Sequence, residues 1–382
     1  MKAEIKRKDL RTLLNFSGVN NSLVKLAGTG NKLFVTFVQP FGEDLLFIEK
    51  SVPTYVTEEG AGLFQANALG KLKKWADKGG NDILCIDCVA KNSELNSELT
   101  AKIVGDDKLC RISCKGTPDN TWPAYGRDKE IGEIRLDKLK AIIDRAKKGE
   151  NADEANYDEI LSVKLSSKGT TLSWTDGCVL HIELDELTPT LMSGRLLLPT
   201  IAVKQLLKHA DGASEFVAIS KVGIRTDGIS VIFGDLTGKR YPDLTAICEP
   251  KGAITIRTDA SALKTAMKQV SSCLNKFVIL RTKGDRLNVL AFDDGGKNRA
   301  WDECPRAEAW IEAETIGATS TAGYGMAFCV DARYLATVLT KADGLVEMQC
   351  QDENSPIYIS VQNSGIKTVL MPVYTDFLYK SV

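Results

Sequence analysis

Two histidines, His181 and His209, are all the imidazole chemistry that this chain of 382 residues offers. One sits in an alternating, strand-like run and the other in a helix-like one, and neither has a nucleophile beside it, so a histidine-based triad is not expected. The cysteines give a stronger pattern, because Cys85-x2-Cys88 with Cys110-x3-Cys114 has spacing that can hold zinc. Yet CIDC lies inside DILCIDCVA, which reads as a strand, and residues three apart on a strand point to opposite faces. With no glycine or proline to make a knuckle turn, cysteine acting as a small buried apolar residue is the better reading, and no metal is expected. Asp293 and Asp294 precede Gly295 and read as a turn, as do the glycine pairs at Gly79 and Gly323. No GxxxxGK[ST] segment is present to cradle a nucleotide. These residue types point away from an enzyme and from any cofactor. A nuclease or zinc-dependent enzyme using the cysteines or scattered carboxylates is the competing class.

What must position these residues is an ordinary globular chain, 43% hydrophobic and 26% charged, with net charge -1 and pI near 6.3. No window approaches the roughly 18 to 20 apolar residues of a membrane span, so no membrane partner is expected. Ten dilute cysteines without an export signal suit reduced thiols and a cytoplasmic location.

The chain repeats itself. GKLKKWAD ending at Asp77, KQLLKHAD ending at Asp211 and TVLTKAD ending at Asp343 are three versions of one amphipathic segment. Each follows a second recurring element: EIKRKDLRTLL from Glu4, EIRLDKLKAII from Glu133 and TIRTDASALKTAM from Thr255. In these a short apolar strand runs into a helix, and Asp259 in the third suits an N-cap. Two families of three, in one order, indicate a triplicated domain of about 130 residues. Runs such as KLFVTFV, LSVKLSS, TTLSWTDG, FVAISKVGIRTDGISVIFG and LVEMQCQDENSPIYISV supply antiparallel strands between the helices. The expected class is therefore α+β, each domain placing two helices on one face of antiparallel sheets. Punctuation at KGTPDNTWPAYGRDKEIG and CEPKGA puts the domains at 1–126, 127–250 and 251–382, with KKGENADEANYDE as a polar surface loop.

Charge is partitioned along this pattern. The six expected helices, 7–16, 67–78, 136–148, 200–209, 259–270 and 331–341, hold 18 basic and 6 acidic residues, leaving 31 basic and 44 acidic elsewhere. One lysine-rich helix is usually a solvated face; the same sign on all six suggests a positive surface facing a polyanion. Lysine contacts with phosphate are independent of base sequence and sensitive to salt, so duplex DNA would be tracked along its backbone. The candidate DNA contacts are Lys8, Arg11, Lys71, Lys73, Lys74, Lys138, Arg145, Lys204, Lys208, Lys264 and Lys268. Few aromatics lie on these helices, which argues against a stacking platform for single strands.

Several segments resemble the bacterial DNA polymerase III beta subunit, the sliding clamp. WTDGCVLH (Trp174 to His181) looks like its TDG-x-x-L motif, YPDLTAI (Tyr241 to Ile247) like the close of its second domain, and LLLPTIAVKQLLK like its second helix entry. FCVDARYLATVLTKADG, SPIYISV and VLMPV are similar to its last domain, including a terminal Met-Pro at Met371 and Pro372. The resemblance implies a ring-forming, non-catalytic processivity factor: a head-to-tail homodimer encircling duplex DNA, with helices inside and sheets outside. It further implies that the replicative DNA polymerase and the clamp loader dock short linear motifs in a groove formed by Ile160, Thr175, Gly177, Leu180, Pro242, Ile247, Val369, Met371, Pro372 and Val373. This sequence departs from the family at Cys178, Val179, Ala246 and Tyr374, where a histidine or arginines are common, and its tail TDFLYKSV runs past the usual end and could cover the groove. These departures point to a divergent clamp such as a phage or plasmid carries, with an altered peptide preference. An open, non-encircling DNA-binding protein with one basic face is the runner-up.

Overall fold

A computed structural model describes residues 1–15, 23–41, 44–78, 82–91, 96–104, 109–115, 128–146, 159–186, 193–210, 214–236, 238–239, 241–242, 244, 247, 254–271, 277–292, 306–317, 326–340, 342–362 and 364–373. The loop expected at Lys147 to Glu159 lies outside them except for its last residue, as do CEPKGA, Ala246, Tyr374 and the tail.

Along the first stretch of chain, β1 (Lys2–Lys6) runs into α1 (Arg7–Leu13), followed by β2 (Leu23–Thr29), β3 (Lys32–Phe41), β4 (Asp44–Pro53) and β5 (Tyr55–Glu58). Then β6 (Gly60–Gln65) enters α2 (Ala66–Asp77), and β7 (Ile83–Lys91), β8 (Asn96–Ile103) and β9 (Leu109–Lys115) close it. The second stretch has β10 (Gly132–Arg135) into α3 (Leu136–Arg145), β11 (Ile160–Ser166), β12 (Gly169–Thr175) and β13 (Val179–Asp185). It continues with β14 (Gly194–Pro199) into α4 (Thr200–His209), then β15 (Phe216–Ile219), β16 (Gly223–Thr226) and β17 (Ile229–Ile232). The third has β18 (Ile254–Asp259) into α5 (Ala260–Val270), β19 (Phe277–Lys283), β20 (Arg286–Phe292), β21 (Arg306–Glu312) and β22 (Glu314–Ile316). Last come β23 (Ala327–Asp331) into α6 (Ala332–Leu339), β24 (Leu345–Cys350), β25 (Ile357–Val361) and β26 (Ile366–Leu370).

All six helices of the described residues follow their strands without a loop, which makes the last strand residue the N-cap. Asp259 and Asp331 fill that role with their side chains, accepting from the amides of Ala262 at 2.8 Å and Arg333 at 2.9 Å. Apolar residues at helical spacing, such as Leu263, Ala266, Met267 and Val270 on α5, are buried, while Lys264 and Lys268 fall on the other side.

The strand order repeats three times. β1-β7-β8-β9, β10-β15-β16-β17 and β18-β24-β25-β26 are one arrangement; β4-β3-β2-β6, β13-β12-β11-β14 and β21-β20-β19-β23 are another. Neighbouring copies fuse where β17 pairs antiparallel with β4 and β26 with β13, giving one eight-stranded and one nine-stranded sheet beside sheets of five and four strands. The chain divides into two compact units: residues 1–136 with 201–238, and 137–200 with 239–382. The first holds the five- and eight-stranded sheets, α1, α2 and most of α4; the second holds the other two sheets, most of α3, α5 and α6.

Cys85 and Cys88 lie in β7, with Cys88 buried and its thiol pushed up to about 11 by that burial. Replacing Asp259 by alanine strips the α5 cap; urea unfolding should show a loss of about 1 kcal/mol with an unchanged m-value.

Candidate functional site

Two sites can be built. The first grows from the turn between β12 and β13. Thr175 Oγ1 donates to the Val179 carbonyl at 2.7 Å and accepts from the Gly177 amide at 3.1 Å. Asp176 Oδ1 accepts the amides of Cys178 and Val179, both at 3.0 Å, and Gly177 has φ 93°, which favours glycine. The TDG sequence is therefore a self-bonded turn, and it is anchored from α6, where the buried Tyr334 hydroxyl donates to Asp176 Oδ2 at 2.5 Å. Burial and that carboxylate both push the Tyr334 phenol upward, so it stays a neutral donor.

The β13–β26 seam brings the C-terminal segment to this turn. Leu180 pairs with Val369, and the Met371 amide donates to the Cys178 carbonyl at 3.0 Å. Leu180, Ile182 and Val369 form one cluster, with Leu244, Ile247 and Tyr358 packed against it. Met371 is 44% exposed at the rim, Pro372 is half-buried, and Val373 packs on Ile279, Leu290 and Cys329 while its amide donates to the Cys329 carbonyl at 2.8 Å. Ile160, buried, starts β11 on the face that Thr175 and Leu180 share. Pro242 is half-buried, and its carbonyl accepts from Arg195 at 3.0 Å. All ten groove residues expected from sequence are thus in this unit, the central ones in contact.

Three supports of this site were not among the residues expected from sequence, although Tyr241 and Tyr334 lie inside quoted motifs. Arg195 stacks 4.6 Å over the Tyr241 ring and donates to Ser162 Oγ at 3.0 Å, and Tyr241 donates to the Ser173 carbonyl at 3.0 Å. Together they tie Tyr241 and Pro242 onto the sheet. Tyr334 is the third. Of the departures from the family pattern, Val179 is buried and Cys178 half-buried.

Beneath the sheet, Trp174 stacks on His181 at 5.8 Å, and His181 Nδ1 lies 3.0 Å from Thr368 Oγ1. Burial, aided by the Arg145 cation, pushes His181 down to about 4. His209, in the other unit, also falls to about 4 through burial and the nearby Lys50 and Lys208. Both are neutral at pH 7.

The second site is the set of basic helix faces. Lys8, Lys71, Lys74, Lys204, Lys208 and Lys268 are exposed and Arg11 is half-buried. The other four are less exposed and reach groups within the chain. Lys73 donates to Asn15 Oδ1 at 2.9 Å and Lys264 to the Ala342 carbonyl at 2.5 Å. Lys138 pairs at 2.5 Å with Glu183, which is 2% exposed, and Arg145 reaches Ser364 Oγ at 3.4 Å. Two further cations in the helix count are internally compensated: Arg7, 3% exposed, pairs with Asp82 and lies 5.0 Å over Trp75, and Arg333 pairs with Asp331 at 2.7 Å. The cationic surface is narrower than composition suggested.

No protein-family model matches the chain, and no curated protein does. Solved structures do. A DNA polymerase sliding clamp from Pseudomonas aeruginosa with ligand aligns over 98% of this chain and 100% of its own, with TM-score 0.75 and 18% identity. A clamp from Caulobacter crescentus aligns over the same shares with TM-score 0.74 and 17% identity. The P. aeruginosa clamp bound to griselimycin gives 0.73 and 18% over the same shares. The chain has the sliding-clamp fold.

In an unfolded chain histidine titrates near 6.5. Because both histidines are depressed in the fold, stability present above about pH 6.5 should be lost as pH falls towards 4. Urea unfolding between pH 7.5 and 4.5 checks this: His181→Asn together with His209→Asn should flatten the decline, whatever its effect at pH 7.5.

Proposed function

We propose that this protein is a DNA sliding clamp, a non-catalytic cytoplasmic ring that tethers a replicative polymerase to duplex DNA. The repeated sheet order carries this reading. Within the chain, β17 pairs with β4 and β26 with β13; their counterparts β9 and β21 are left as sheet edges among the described residues. A second copy would supply the missing partner of each, β9 to β21 twice over, closing two chains head to tail. Unpaired edges otherwise invite uncontrolled association. The domains of such a protomer are 1–126, 127–250 and 251–382.

In this ring the six helices of each copy line the passage. Exposed lysines such as Lys71, Lys74, Lys204 and Lys208 meet phosphates without reading bases, so contacts remain weak and movable. Retention is topological, because leaving a closed circle requires an interface to open. The Leu180–Ile182–Val369 cluster, with the exposed Met371 beside it and backbone polar groups around, suits a polymerase or clamp-loader segment with apolar side chains.

Loading the protein on a nicked plasmid tests the ring directly. It should stay through gel filtration until the circle is cut, whereas an open binder would leave both forms equally. Mass measurement at micromolar concentration should give a dimer. Met371→Ala with Pro372→Ala should abolish stimulation of the polymerase while leaving the dimer intact. Lys204→Glu with Lys208→Glu should weaken DNA association and flatten its dependence on log salt by about 0.9 for each phosphate no longer neutralised.

A further inference from the structure

The strand register carries the outer face of the nine-stranded sheet well beyond the proposed groove. Leu180 sits between Thr175 and Val369; two residues on, Ile182 sits between Ser173 and Lys367; two more on, Leu184 faces Thr171. Side chains two apart on a strand share a face, so Leu180, Ile182 and Leu184 form one row, roughly 13 Å long at about 3.3 Å per residue. Leu184 is 43% exposed, and Leu244 edges the same row. The face is a cleft of about 600 Å³.

Its charge is one-sided. Among the described residues lining the cleft, the charged ones are Lys164, Arg195 and Lys367. Lys164 and Arg195 are directly opposed across β11 and β14, a like-charge pairing that costs free energy in an antiparallel sheet. Arg195 spends its hydrogen bonds on a hydroxyl and a carbonyl and its face on the Tyr241 ring. No carboxylate pairs with any of the three among the described residues. Three cations with no carboxylate partner among the described residues, set beside the exposed Leu184, are unfavourable in the free protein and complementary to an anionic, partly apolar occupant.

We infer that the groove is bipartite and that its partner segment is acidic as well as apolar. Resting on the groove reading above, the proposal has apolar side chains seated at Leu180, Val369 and Met371. The extended chain then continues over Ile182 and Leu184 for about four residues, with carboxylates facing Lys164, Lys367 and Arg195. The acidic flank discriminates among partners that share the apolar element, which is how a charged rim commonly acts.

The probes are fluorescein-labelled twelve-residue peptides with one leucine–phenylalanine core, flanked by two glutamates, two glutamines or two lysines, on either side in turn. Fluorescence anisotropy with the full-length protein should show one glutamate-flanked peptide binding about five-fold tighter than its glutamine counterpart, as two rim ion pairs allow. Lys164→Glu with Lys367→Glu should erase that advantage and favour the lysine flank, while the glutamine-flanked peptide binds both proteins equally. Equal affinities for all flanks, with the core still displaced by Met371→Ala, would overturn the acidic extension and leave the groove standing. No binding of any peptide to the wild type would overturn both. A single-stranded oligonucleotide that binds through Lys164 and Lys367 in place of the glutamate peptide would overturn the peptide as occupant.

Discussion

Edge pairing is the constraint on which the structure depends. A sheet edge presents unpaired amides and carbonyls, and each repeat of this chain ends one sheet on its last strand and the other on its fourth. Antiparallel pairing of the last strand of one repeat with the fourth strand of the repeat before it satisfies both, at β17–β4 and at β26–β13. The compact units follow from this rule: sheets that run on across a repeat boundary gather strands of two repeats into one body, so compactness and repetition divide the chain differently.

The β13–β26 seam is also what makes the candidate groove. Its register puts His181 beside Thr368 and Trp174 on the inner face and Leu180 beside Val369 on the outer one. A slip of one residue would send His181 outward, breaking its buried hydrogen bond to Thr368, and turn Leu180 to the inner face. The polar pair that fixes the register therefore also fixes the apolar surface. The TDG turn adds a second lock, since Tyr334 holds Asp176 while Asp176 holds the two amides that start β13. That hydrogen bond from the tyrosine joins helix α6 to the turn beside the groove.

What the sequence disclosed was local. The 3.6 spacing of apolar residues marked all six helices near their observed bounds, Asp259 announced its own cap, and CIDC revealed itself as strand through its flanks. The alternating runs became β3, β11, β12, β15 to β17, β19, β20 and β24 to β26; the short strands β5 and β22 carry too few buried residues to leave a pattern. The candidate groove residues rest on the order of their motifs, which places segments but says nothing of what supports them. Tyr334 and Asp176 are 158 residues apart, and no periodicity couples them.

Charge was the least legible property, for a physical reason. Residue type fixes the sign of a side chain, while its direction depends on what packs beside the helix. Arg7 reads as one more helix cation, yet its guanidinium lies under Trp75 against Asp82, and Lys138 is drawn to the buried Glu183. Arg195 shows the converse. It looks like a lone cation at the start of a strand, and it ties Tyr241 and Pro242 down while raising the potential of the cleft beside Lys164. A cation that stacks and hydrogen-bonds through neutral groups keeps its full charge, so holding a loop in place and presenting a positive rim are one act of the same side chain.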